Sequence, residues 1–246
     1  MCTVTFIPLN DRIILSSSRD EKVMRKPALK PYKYSFNDVS LIYPKDGEAG
    51  GTWIAMKDNS DAAVLLNGAF IKHISLPPYA ISRGIVFLAI VQSANPLEYF
   101  NTTSLFNIEP FTIVLWQNEQ LYECRWDGLK KHWQAMNPCK PHIWSSATLY
   151  SEDVIIKREL WFAKWVNKTP IPDVDDVLSL HRFGGTGDKR NDFCMSRDNH
   201  MLTVSITAME LSKGAGCMTY LDLKENKSHR SIVEFNTSLS YASPVC

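Results

Sequence analysis

Residues 1–21 read MCTVTFIPLNDRIILSSSRDE, and their pattern decides how the rest of the chain is assembled. Thr3 to Ile7 alternates polar with apolar side chains, and Arg12 to Ser18 is a second short run passing from apolar to polar. Two such runs separated by turn-forming residues read as strands, here joined at Leu9-Asn10-Asp11-Arg12. A hairpin turning on Asn10 and Asp11 pairs residues whose numbers sum to 21, so position 2 falls opposite Arg19. A loop one residue different in length sets Ser18 or Asp20 there instead, and Pro8 can enlarge the loop. Directly opposed side chains have Cβ atoms about 4.5 to 5.5 Å apart, close enough for a guanidinium to sit beside a thiol.

That pairing matters because Cys2 follows the initiator Met, and cysteine is small enough for Met1 to be trimmed. Cys2 would then carry a thiol and a free α-amine on one residue. A fixed positive charge favours thiolate over thiol, and an α-amine with an unperturbed pKa of about 7.7 to 8.0 can serve as the local base. Attack on an amide or ester carbonyl would give an acyl-enzyme that water or an amine resolves. Asp20 would hold Arg19 or the amine in place. The competing reading is plain: cysteine is a common buried residue, and Arg-Asp-Glu at a strand end is usually a solvated patch.

Further along, Thr52 to Lys57 and Ala62 to Leu66 form a second hairpin across Asp58-Asn59-Ser60-Asp61, a turn-forming tetrad. Glu21 to Gly51, with Pro27, Pro31 and Pro44 and no sustained period, reads as an irregular surface excursion. Ser82 to Tyr99 turns helical, with Ile85, Leu88, Ala89 and Gln92 at spacings of three and four and Pro96 near its end. Strands resume at Phe111 to Trp116, Gln120 to Trp126 and His142 to Ala147. A helix capped by Ser151 should run to Val166, because Glu152 and Asp153 suit its first turn, and another should span Val174 to His181. Phe193 to Arg197, Leu202 to Glu210, Met218 to Lys224 and Ser231 to Phe235 return to strand. Strands, then helices, then strands is an α+β order with antiparallel sheets and helices on their outer faces.

At 246 residues, with 45% hydrophobic and 22% charged residues, the chain suits one domain over 1–246. A net charge of +1 without a basic block argues against nucleic acid as a partner. The longest apolar run, Gly84 to Val91, is far short of the roughly 20 residues that span a bilayer. The N-terminus reads as strand rather than secretory signal, which makes a cytoplasmic location the default. The six cysteines lack paired spacing, and free thiols are expected.

Met1-Cys2, Ser18-Arg-Asp-Glu21, Gly50-Gly-Thr-Trp53, Leu66-Asn-Gly68, Ser82-Arg-Gly84 and Cys194-Met-Ser-Arg197 followed by Thr203-Val-Ser205 resemble, in order, the motifs of the NRDE family, related to transport and Golgi organisation protein 2. The resemblance implies an N-terminal nucleophile hydrolase-like fold, a four-layer αββα sandwich. It implies Cys2 as nucleophile, Arg19 and Asp20 as the Arg-Asp of the family motif, and Asn67 as an oxyanion-hole amide. Two positions depart from the pattern: Ser18 stands for the leading Asn, and Ser146 stands where relatives carry a second Asn. A hydroxyl at Ser146 can still donate one hydrogen bond.

The implied activity is a cysteine C–N amidohydrolase or acyltransferase acting on a small-molecule acyl amide, with no cofactor required. The alternative, from family members linked to haem trafficking, is a non-catalytic carrier of haem or another hydrophobic ligand in the same cleft. His73, His132 and His181 are the histidines considered as haem ligands, although no ligand spacing supports them. Phe183-Gly-Gly-Thr-Gly-Asp-Lys189 has the composition of a phosphate loop but follows a helix and leads to a strand, the reverse of the required context. Cys139 and His142 lack a second ligand pair, so no metal is assigned.

Overall fold

The computed structural model describes residues 3–36, 39–198 and 200–235. Its opening strands are β1 (Thr3–Pro8) and β2 (Arg12–Lys22), paired antiparallel with Thr3 opposite Ser18 and Ile7 opposite Ile14, the register that sums to 21. Cys2 lies outside the described residues.

The strands β3 (Leu29–Phe36), β4 (Val39–Lys45), β5 (Ile54–Lys57) and β6 (Ala62–Asn67) follow, then the helices α1 (Arg83–Gln92) and α2 (Pro96–Thr102). Next come β7 (Phe111–Gln117), β8 (Gln120–Trp126), β9 (Lys131–Met136), β10 (His142–Ser145), α3 (Glu152–Lys168) and α4 (Val174–Phe183). The last strands are β11 (Ser196–Arg197), β12 (Met201–Ser212), β13 (Ala215–Asp222) and β14 (Lys227–Glu234).

These strands form two antiparallel sheets. One has the order β10-β1-β2-β12-β13-β14 with β11 on the side of β12, and the other runs β3 to β9 in chain order. The sheets face one another, and each carries two helices on its outer face, which gives the αββα sandwich. Alternation along a strand assigns each side chain to one of these interfaces. Val4, Phe6, Ile13 and Leu15 join the core shared with the second sheet, whereas Ile7 and Ile14 join Phe162 of α3 and Val177 of α4. With both faces covered, β1 and β2 are buried almost throughout, so the polar Thr3 and Thr5 of the alternating β1 are buried as fully as Val4 and Phe6 between them.

Several expectations are corrected. The Glu21 to Gly51 stretch contains two strands: β3 is a largely exposed sheet edge, where proline is tolerated, and its pairing with β4 shifts register between Leu29 and Tyr32, around Pro31. β9, also missed, is the opposite edge of the same sheet and equally exposed. The single helix of Ser82 to Tyr99 is two, because Asn95 caps Glu98 N–H and Pro96 opens a new first turn. The strand expected over Phe193 to Arg197 is confined to Ser196–Arg197, while Phe193 is a core residue. Ser151 precedes α3 as expected, but its hydroxyl bonds the Asp153 carboxylate and not the helix backbone. Cys124, Cys194 and Cys217 are free thiols, whereas Cys139 is disulfide-bonded, since spacing along a chain does not report proximity in space.

Phe6 is fully buried, with its ring 5.6 Å from that of Trp116 across the two sheets. Phe6→Ala is expected to cost about 3–5 kcal/mol of stability by opening a cavity between them, measured by urea unfolding.

Candidate functional site

Arg19 and Asp20 close the buried part of β2, and because neighbours on a strand point to opposite faces they serve different interfaces. Each is 3% exposed, so the solvated-patch reading is overturned. Arg19 turns toward the second sheet, where its guanidinium pairs with Asp46 and lies 4.4 Å over the Trp53 ring. Asp46 also accepts from Arg25 at 2.9 and 3.0 Å and from Ala49 N–H at 2.7 Å. Burial acts to raise the Asp46 carboxyl, but the hydrogen bonds from Arg25 and Ala49 and the charges of Arg19 and Arg25 outweigh it and hold it below the usual range. With Glu21 3.5 Å from Arg25 and 3.9 Å from Arg19, the cluster is charge-balanced. Arg19 therefore offers a fixed donor and a local charge, with little long-range field.

Asp20 turns toward the helices. It accepts from Thr203 Oγ1 at 2.5 Å and from the Tyr150 hydroxyl at 3.1 Å, and Thr203 in turn accepts from Met195 N–H. The Cys194-Met-Ser-Arg197 and Thr203-Val-Ser205 motifs thus meet in order to hold Asp20. Behind Tyr150 lies Arg158 of α3, which has no solvent exposure. It donates to Tyr150 Oη at 3.0 Å, to Thr3 Oγ1 at 2.5 Å and to the carbonyls of Asn191 and Asp192, and stacks 3.8 Å over the Tyr150 ring.

Asn67, at the end of β6, faces the same cleft, and its side-chain amide makes no hydrogen bond among the described residues. Ser146 stands behind it: its hydroxyl, 1% exposed as a residue, donates to the Asn67 carbonyl at 2.8 Å and meets Thr148 Oγ1 at 2.9 Å. Ser146 thus supports Asn67 from the layer below the cleft wall. The far wall is built by the other two motifs. Gly51 and Gly84 pack backbone on backbone, and a Cβ at Gly51 would stand 2.4 Å from the Gly84 carbonyl carbon. Arg19, Asp20 and Asn67 line a single cleft of about 420 Å³ together with Trp53, Arg83 and Glu109.

Ser18 does not face this cleft. Its hydroxyl meets His181 Nδ1 at 2.8 Å, and Thr5 Oγ1 meets the other ring nitrogen at 2.8 Å, so the departure from Asn removes nothing from the cleft wall. His181 is fully buried, and burial, assisted by the charge of Arg158, pushes its pKa down to about 3. The Gly184, Thr186 and Gly187 amides are not free for a phosphate: the Leu180 carbonyl accepts from Gly184 N–H, and the Asp192 carboxylate accepts from Thr186 N–H and Gly187 N–H. Among the described residues no group of three metal-ligating side chains converges, and no helix is long and apolar enough to cross a membrane.

Sequence reasoning missed Asp46, Tyr150 and Arg158, and quoted Thr203 in a motif without giving it a role. Arg158 left a signal: Val154, Arg158 and Phe162 recur every four residues on the buried face of α3, and a cation inside an apolar stripe must have dedicated partners.

Residues 1–184 match the family model described as Transport and Golgi organisation 2. The chain belongs to that family. No curated protein sequence matches this family member. Its fold is similar to that of an arginine-to-leucine variant of conjugated bile acid hydrolase from Clostridium perfringens, with a TM-score of 0.57 and 11% identity, covering 98% of this chain and 99% of that one. A cysteine-to-alanine mutant of the same hydrolase aligns with a TM-score of 0.53 and 10% identity over 98% and 99% of the two chains. A Caenorhabditis elegans orthologue of N-acylethanolamine-hydrolyzing acid amidase gives 0.53 and 12% identity, covering 85% of this chain and 92% of that one. At these identities the chain shares their fold, an N-terminal nucleophile hydrolase-like sandwich.

Two measurements check the site. Asp46→Asn strands a guanidinium whose side chain is only 4% exposed, and is expected to cost about 3 kcal/mol in urea unfolding. His181 has a lower pKa folded than unfolded, so the unfolded chain binds more protons between about pH 3 and 6.5. Its contribution is complete above pH 6.5 and is lost as pH falls, by up to about 1.4 kcal/mol per pH unit. His181→Gln should flatten the stability profile between pH 6.5 and 4.

Proposed function

We propose that the chain is a cysteine C–N amidohydrolase or acyltransferase of the N-terminal nucleophile type, acting in the cytoplasm on a small-molecule acyl amide without a cofactor. The observation that carries the reading is the convergence of Arg19, Asp20 and the unbonded amide of Asn67 on one cleft at the end of the opening hairpin. A conjugated bile acid hydrolase and an acid amidase among the fold neighbours support the same class of reaction.

In this reading Met1 is removed and the Cys2 α-amine takes the thiol proton. The thiolate attacks the carbonyl carbon, and the Asn67 amide donates to the developing oxyanion. One such donor has been worth about 2.7–4 kcal/mol in the transition state of another hydrolase. The C–N bond breaks as the α-ammonium returns its proton to the leaving amine, which leaves a thioester. Water, deprotonated by the α-amine, then attacks the thioester and releases the acid and the thiol; an amine in place of water completes acyl transfer. Arg19 and Asp20 orient the thiolate and the amine.

The carrier alternative has less support, because charged groups ring the cleft and none of His73, His132 or His181 lines it.

Intact-mass measurement of the native chain should show Met1 absent, and its full retention overturns the amine-as-base mechanism. Cys2→Ala should lower turnover of a panel of acyl anilides at least a thousandfold. Haem titration by absorbance that saturates at one equivalent, with no turnover by either protein, would favour the carrier.

A further inference from the structure

Beside the charged cleft lies a second, larger groove of about 750 Å³, and Thr148 and Leu149 line both. The two spaces meet at the segment whose Ser146 supports Asn67. Their chemistry differs. The groove presents Phe70, Ile71, Leu149 and Ile155, the first two 54% and 78% exposed. Single exposed apolar side chains are ordinary, but several gathered in one concavity mark a binding surface.

The charged groups in the groove are mostly cationic. Lys72, Arg190 and Arg197 line it against one acid, Glu152. Lys72 is exposed and makes no ion pair among the described residues. Arg197 is held in place: its Nε donates to the Arg190 carbonyl at 3.0 Å, and its guanidinium lies 5.1 Å over the Tyr150 ring. Arg190 shares its charge with Asp198 at 2.7 Å, which leaves Lys72 and Arg197 as the available cations.

We propose that the groove is the second compartment of the substrate site and takes the acyl half of an amide whose apolar body ends in a carboxylate. The apolar body lies along Phe70, Ile71 and Ile155, the carboxylate meets Lys72 and Arg197, and the amide reaches past Thr148 into the cleft beside Asn67. The class is therefore the monoamide of an apolar dicarboxylic acid. The assignment of an amide rests on the proposed hydrolase reading; the affinity of the groove for an apolar carboxylate does not.

Fluorescence titration with a dansylated undecanoic acid and its methyl ester tests the groove directly. The acid should bind at least tenfold more tightly than the ester. Lys72→Gln combined with Arg197→Gln should erase that preference without weakening the ester. Ile155→Asp should weaken both probes tenfold or more, and Cys2→Ala should change neither. Equal binding of acid and ester by the unmodified protein, or Ile155→Asp affinities within twofold of it, overturns the groove. Displacement by dodecyl phosphate stronger than by dodecanoate overturns the carboxylate assignment. A monoanilide of dodecanedioic acid separates the two readings. Acid-selective binding without its hydrolysis sinks the amidase and leaves the groove standing, whereas hydrolysis unaffected by Ile155→Asp sinks the groove and leaves the amidase.

Discussion

β2 is covered on both faces, and the rest of the structure depends on that constraint. It pairs with β1 on one side and β12 on the other, and its alternating side chains pass between two interfaces. A strand in this position cannot end in charged residues unless each charge finds a partner on its own face, because an unpaired buried charge costs several kcal/mol. Arg19 finds Asp46 in the second sheet, and Asp20 finds Tyr150 and Thr203 on the helix side. The cleft lies where these two sets of partners meet the edge of the sandwich.

This arrangement gives a physical reason for motifs scattered along the chain. Gly51 and Gly84 let a loop and a helix start approach without side chains between them, which closes the wall opposite Arg19. Thr203 and Met195 form the cradle for Asp20, and Ser146 supports the carbonyl of Asn67. Arg158 bonds Thr3 and Tyr150 together, so α3 is tied both to the start of β1 and to the Asp20 network. Much of the machinery thus lies one layer behind the cleft surface, where it restricts the few groups that face it.

Electrostatics and shape divide the region into two parts. The cleft is a balanced set of ion pairs in which Arg83 also meets Glu109 at 3.0 Å, so it orients polar groups but attracts no particular charge. The neighbouring groove is apolar with spare cations. A ligand that fits both must be amphiphilic.

The opening hairpin, the position of α4 and the α+β order were legible in the sequence from turn residues such as Asn10-Asp11 and from the order of strand and helix patterns, whereas the turn allowed three registers, of which the structure takes the one with Thr3 opposite Ser18. β3 and β9 were not, since an exposed edge strand carries little apolar alternation and tolerates Pro31. Of the candidate site, Arg19, Asp20 and Asn67 could be named from their motifs, yet nothing local distinguishes a buried Arg-Asp from a solvated one. That choice was made by tertiary structure, because Asp46, Tyr150 and Thr203 lie 27, 130 and 183 residues from their partners. Local sequence determines the turns and the strands that carry apolar alternation; which charges are buried, and against what, is decided only when distant segments pack.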